Sequence, residues 1–142
     1  MKLLRYKAGD QIRPGILDKA GNIRDLSGIV PDIDADAVSP AGLAKIAQAD
    51  AENLPKVSGS PTLAAPVANP SKVVCIGLNY SDHAAEVGAT PPSEPIIFMK
   101  APTAYNAPNG PVVKPPHSTK LDWEAELCVY IGKRASYVSE DE

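Results

Sequence analysis

No apolar run in this sequence approaches the roughly 20 residues that a membrane span needs. The opening Met1-Lys2-Leu3-Leu4-Arg5-Tyr6-Lys7 carries too much charge, and too short an apolar stretch, for a signal peptide. Neither sign of charge dominates: 14 Lys and Arg face 17 Asp and Glu, for a net charge of -3. That balance gives no electrostatic footprint for nucleic acid or for an anionic membrane. There are only two cysteines, Cys75 and Cys128. Each lies in an apolar, strand-like run, which reads as buried reduced thiols of a cytoplasmic protein rather than a disulfide. Repeats and low-complexity segments are absent. Ser81 lacks the Gly-x-Ser-x-Gly elbow of a nucleophile, so serine hydrolase chemistry has little support.

Proline, by contrast, is plentiful. Its 15 residues in 142 are about twice the usual share. The expectation is a mostly β chain with short helices, rich in turns and extended segments. Residues 1–68 read as a small β-rich N-terminal subdomain. Leu3–Tyr6, Ile12–Leu17 and Asn22–Leu26 are predicted strands, with turns at Ala8-Gly9-Asp10 and Lys19-Ala20-Gly21-Asn22. Ser39 followed by Pro40 predicts a helix N-terminus, with Leu43, Ile46 and Ala47 as its apolar stripe. Asp32, Asp34 and Asp36 read as a solvated loop rather than a cation site.

Residues 69–142 carry the denser signals. Val73–Leu78 and Pro95–Lys100 are continuous apolar runs, the pattern of strands buried on both faces. Between them, Ser81–Val87 reads as one or two helical turns, capped by Ser81 or Asn79 and ended by Gly88. His83 and Glu86 are then neighbours on one helical face, where a carboxylate would fix the imidazole tautomer and raise its basicity. An ordinary surface pair is the alternative. Lys100, closing the second run, could hold a substrate carboxylate or extend to solvent, and His117 reads as structural or solvated. Pro111–Lys114 is a further short strand. Asp122 to Gly132 splits with a period of two into an apolar face (Trp123, Ala125, Leu127, Val129, Ile131) and a face that starts with Asp122, Glu124 and Glu126 and continues to Cys128 and Tyr130. Two like charges side by side raise each other's pKa unless a cation sits between them. All-carboxylate ligation favours Mg²⁺ or Mn²⁺ over Zn²⁺. A solvated polar face of an edge strand and a glycosidase-type carboxyl pair are the competing readings.

Three stretches together resemble the fumarylacetoacetate hydrolase family. They are Ile76-Gly77-Leu78-Asn79-Tyr80-Ser81-Asp82-His83-Ala84-Ala85-Glu86, then Ile97-Phe98-Met99-Lys100-Ala101-Pro102-Thr103-Ala104-Tyr105, and then Asp122-Trp123-Glu124-Ala125-Glu126-Leu127 running to Gly132-Lys133. The N-terminal part is similar to that of bacterial members with a short N-terminal subdomain. The resemblance implies the start of a mixed β-roll over residues 69–142. It implies Mg²⁺ (or Mn²⁺) on Glu124 and Glu126, a water-activating dyad of His83 and Glu86 on a lid, and a pocket lined by Tyr80 and Lys100. The implied reaction is hydrolysis of a C–C bond in a 2,4-diketo acid, with the cation steadying a pyruvate enolate. Ureidoglycolate lyase and oxaloacetate decarboxylase activities are alternatives on the same residues. A small-molecule 2-oxo acid is the expected partner, in a homodimer, without nucleic acid or membrane. The family's third metal ligand, an aspartate, falls beyond Glu142. The chain is therefore expected to be the N-terminal part of a longer enzyme, with a non-catalytic fragment or binding module as the alternative.

Overall fold

The computed structural model describes residues 1–141. Among them are five β-strands and two α-helices, so the chain is mostly β with few short helices, as the sequence predicts. The chain divides into two compact units, Met1–Ala68 with the tail from Asn106 onward, and Asn69–Tyr105. No helix among the described residues is long and apolar enough to cross a membrane.

In the first unit, β1 (Leu3–Ala8), β2 (Gln11–Leu17) and β3 (Ile23–Asp25) form an antiparallel sheet in the order β1-β2-β3. Ala8 pairs with Gln11, leaving Gly9 and Asp10 as a two-residue loop. Gly9 has a φ of 62°, the left-handed value that a type II′ hairpin needs at its first central residue. Pro14 lies in the middle strand, where a missing N–H ordinarily breaks the ladder. Its carbonyl accepts from Leu26 N–H at 3.0 Å, so its nitrogen faces the end of β3. The Leu26 carbonyl that would need this donor accepts instead from Ile29 N–H at 2.8 Å and Val30 N–H at 3.0 Å. The lost bond is thus replaced by the turn that takes the chain off the sheet.

Both sheet edges are closed by the same chain. On the β1 side, Lys7 N–H donates to Thr62 O and Ala64 N–H to Arg5 O, each at 2.9 Å. On the β3 side, Asp25 N–H donates to Pro55 O and Val57 N–H to Ile23 O, also at 2.9 Å. Beneath the sheet, Ile16, Leu26, Val30, Ile33, Ala37, Ile46 and Val67 form a buried cluster. Ile46 comes from α1 (Pro40–Ala47), which starts where Ser39-Pro40 predicts, with the Ser39 hydroxyl accepting from Gly42 N–H at 3.1 Å. Of the expected stripe, Ile46 is fully buried, Leu43 half-buried and Ala47 exposed. A Cβ on Gly42 would collide with the carbonyl oxygens of Asp36 and Ala37, so only glycine fits there.

Polar groups at the margin of this core are all partnered. Arg5 forms a fork to Asp32, Nε to Oδ1 at 2.7 Å and Nη2 to Oδ2 at 2.8 Å, while its Nη1 donates to Ala65 O at 3.0 Å. Asp34 accepts from the Asp36 and Ala37 N–H groups. The solvated-loop expectation for Asp32, Asp34 and Asp36 is therefore corrected: only Asp36 is exposed, while Asp32 neutralises a buried guanidinium and Asp34 orders the turn. Burial works against a charged Asp32, but the Arg5 bonds outweigh it and hold its pKa below the usual value. Tyr6 donates its hydroxyl to Asp25 at 2.7 Å; burial and then this bond push its pKa up to about 12. Asp18 accepts from the Asn22 side-chain amide, from Asn22 N–H and from Arg24 Nε. The Asn22 amide bond leads in lowering its pKa to about 2, opposed by burial and helped by the other two donors.

In the second unit, β4 (Val73–Gly77) pairs antiparallel with β5 (Ile96–Lys100), and α2 (Ser81–Glu86) lies between them in sequence. The two apolar runs are strands, but the expectation that they are buried on both faces is not met. β4 alternates between half-buried and exposed, and β5 is exposed throughout. A two-stranded ribbon has too few layers to cover both faces of either strand.

Two predicted strands in the tail are also corrected. Pro111–Lys114 and Asp122–Gly132 form no ladder among the described residues. Trp123, at 82% exposure, and Leu127, at 80%, show that the expected core face is open. Periodicity selects which residues share a face, but a strand exists only where a second backbone accepts its hydrogen bonds. The tail is anchored instead near Tyr130, which packs on the buried cluster of the first unit, and at Gly132, whose Cα abuts the Val38 carbonyl.

Two outcomes follow for stability. Because the folded-state pKa of Asp18 lies below its ordinary value of 3.8, its contribution is complete above about pH 4. It is lost as pH falls toward 2, so thermal melts across that window should show a decline that Asp18→Asn flattens. Ile46→Ala should lower stability by about 2–5 kcal/mol in urea titrations, since it empties a fully buried position.

Candidate functional site

The residues singled out from the sequence fall in both units. Four of them, Tyr80, His83, Glu86 and Lys100, belong to the unit Asn69–Tyr105. β4 ends at Gly77, and Leu78 then adopts a φ of 50°, which turns the chain into α2. Tyr80, rather than Ser81 or Asn79, occupies the N-cap, and its side chain makes no capping bond. Asp82 supplies the acidic group of the first turn, accepting from His83 N–H at 2.9 Å. At the other end Gly88 takes a φ of 68°, with Gly88 N–H donating to Ala85 O at 3.1 Å and Ala89 N–H to Ala84 O at 2.8 Å. That pair of bonds is a Schellman motif, the glycine stop that the sequence predicts.

The i,i+3 spacing on α2 brings His83 and Glu86 together, Nδ1 to Oε2 at 3.7 Å. Both are open to solvent, His83 at 51% and Glu86 at 79% side-chain exposure. The arrangement leaves Nε2 of His83 free to face a substrate or water while Nδ1 is turned to the carboxylate. Lys100 ends β5 opposite Val73 and is exposed.

Glu124 and Glu126 belong to the tail of the other unit, in an extended, exposed segment. Among the described residues, no group of three or more His, Cys, Asp or Glu side chains could hold a metal ion. The donors present fit a hard cation all the same. Mg²⁺ is ordinarily held through one or two carboxylates, with the rest of its shell made of water and substrate oxygens. Cys128, two residues beyond Glu126, is exposed and Cys75 is half-buried, both as free thiols. The expectation that both are buried is corrected, for the same reason that the tail strand is. Leu78 is the residue that sequence reading missed: leucine carries no signal for a left-handed backbone.

A β-ribbon with a short helix inserted between its strands, followed by a Glu-x-Glu segment, defines a class that comparison makes specific. The structure matches that of a fumarylacetoacetate hydrolase from the psychrophile Exiguobacterium antarcticum with a TM-score of 0.55 and 28% identity, over 72% of this chain and 36% of that one. Residues 72–142 match the family described as fumarylacetoacetate (FAA) hydrolase, C-terminal. The chain belongs to the fumarylacetoacetate hydrolase family.

A relative from Burkholderia orbicola (strain MC0-3) is 49% identical over 140 residues, 99% of this chain and 50% of that protein. The 2,4-didehydro-3-deoxy-L-rhamnonate hydrolase of Sphingomonas sp. (strain SKA58) is 48% identical over 142 residues, 100% of this chain and 48% of that protein. The chain thus spans about half the length of the curated relatives it matches.

Exposure makes the two thiols distinguishable. A disulfide reagent should modify Cys128 well before Cys75, and Cys128→Ser should leave only the slow phase in a spectrophotometric thiol titration.

Proposed function

We propose that the chain is part of a metal-dependent hydrolase that cleaves a C–C bond of a 2,4-diketo acid to give pyruvate and a second acid. The observation that carries this reading is the His83–Glu86 pair at 3.7 Å on α2, at the family's dyad position. The substrate class is supported by the Sphingomonas relative, whose name specifies a didehydro-deoxy sugar acid.

Each residue has a role that its chemistry suits. Glu124 and Glu126 would hold Mg²⁺ or Mn²⁺ through carboxylate oxygens, the donors such ions prefer. The cation would supply positive charge for the 2-oxo acid and for the enolate oxygen that develops on cleavage. His83 takes the proton of the attacking water at Nε2, and Glu86 orients the ring and stabilises the imidazolium. As pyruvate leaves, the same proton can return to its methylene carbon. Lys100 provides an ammonium for a substrate carboxylate, and Tyr80, at the N-cap of α2, offers a phenol to a substrate oxygen. We assign the working protein to the cytoplasm as a homodimer, with a small 2-oxo acid rather than nucleic acid or membrane as its partner.

The test is pyruvate release by the native polypeptide from acylpyruvates and diketo-deoxy sugar acids, followed by a coupled assay with Mg²⁺ or with a chelator. Glu124→Ala and Glu126→Ala should abolish turnover. His83→Ala should lower kcat by about 10²–10⁴. Absence of pyruvate with every such substrate, in the presence of Mg²⁺ and Mn²⁺, would refute the assignment.

A further inference from the structure

The backbone of unit Asn69–Tyr105 contains a feature that neither the dyad nor the strand pairing requires. Leu78 has a φ of 50°. For a side chain with a Cβ, that conformation crowds the following carbonyl, and a bulky apolar residue has no local hydrogen bond to compensate it. It lies one residue past the end of β4 and three before the start of α2. At the far end of the helix, Gly88 also has a positive φ, at 68°, where glycine bears no such cost. The segment between them has little to hold it in place. Of the residues in α2 only Ala84 is buried, and Ser81, Asp82, His83, Ala85 and Glu86 are exposed.

We propose that Leu78 is a strained hinge and Gly88 a relaxed one, so that residues 79–87 form an arm with two positions, the observed one and one in which Leu78 returns to extended backbone. The arm carries His83 and Glu86, and the proposal rests on the reading of that pair as the water-activating group only for its purpose. Strain of the size usual for such a residue shifts a two-position equilibrium by roughly tenfold. Leucine at position 78 therefore keeps the observed position from being overwhelmingly favoured. The dyad can be brought up to a bound substrate or withdrawn from it at small cost.

Hydrogen exchange on the full chain tests this without reference to activity. The N–H groups of Ala84, Val87, Gly88 and Ala89 donate to Tyr80 O, His83 O, Ala85 O and Ala84 O at 2.8–3.1 Å. They should exchange as one group, ahead of the β4–β5 ladder amides. Leu78→Asn, and Leu78→Gly as its check, suit the left-handed conformation and should slow that group by up to about tenfold. Leu78→Val, stiffer at χ1 and worse in that conformation, should speed it. Equal rates in all these proteins, or exchange of the arm only together with the ladder, would overturn the proposal. Responsive exchange in a protein that releases no pyruvate would keep the hinge and remove the catalytic reading. Pyruvate release with unresponsive exchange would do the reverse.

Discussion

Backbone closure is the constraint on which the first unit depends. A sheet of only three strands offers two open edges, and here residues 55–57 seal one while residues 62–64 seal the other. Arg5 makes the second closure hold. From β1 its guanidinium grips Asp32 with two bonds and the Ala65 carbonyl with a third, tying strand, acidic turn and edge segment at one point. Since every polar hydrogen of such a fork is directional, the three pieces can meet in one arrangement and no other. Leu26, Ile33 and Ile46 then fill the space that this arrangement leaves.

Local signals carried the first unit because its contacts are mostly short in sequence. The Gly9-Asp10 turn, the Ser39-Pro40 helix start and the Gly88 stop each depend on one or two residues whose backbone preference is strong. The Arg5–Asp32 fork could not be read in the same way. An arginine and an aspartate 27 positions apart have no spacing rule that pairs them. The Pro14 strand was legible as a strand but not as the centre of a sheet, since its compensation depends on a turn twelve to sixteen residues later.

The candidate site divides along the same line. His83 and Glu86 meet because helical geometry alone brings i and i+3 together, and that geometry was visible in the sequence. The Glu124–Ile131 stretch depended on a partner strand. Its alternation says what each face would contain, but a ladder is a property of two segments, and none pairs with it among the described residues. Tyr130, expected beside the carboxylates, instead contributes its ring to the buried cluster of the first unit. Leu78 was illegible for a different reason: backbone strain is imposed on a residue by its neighbours and leaves no mark in its identity.

Pro14 has an effect that reaches beyond the bond it forgoes. A ladder whose residues all donate can slide by two positions and recover nearly every hydrogen bond, with each side chain still on its original face. One imino nitrogen in the middle strand removes that freedom, because after any such slide it would stand against a carbonyl that nothing else can satisfy. Only with Pro14 beside Leu26, whose oxygen already serves Ile29 and Val30, does the count of donors and acceptors come out even. The residue works as an index mark, fixing the alignment of three strands by what it cannot do.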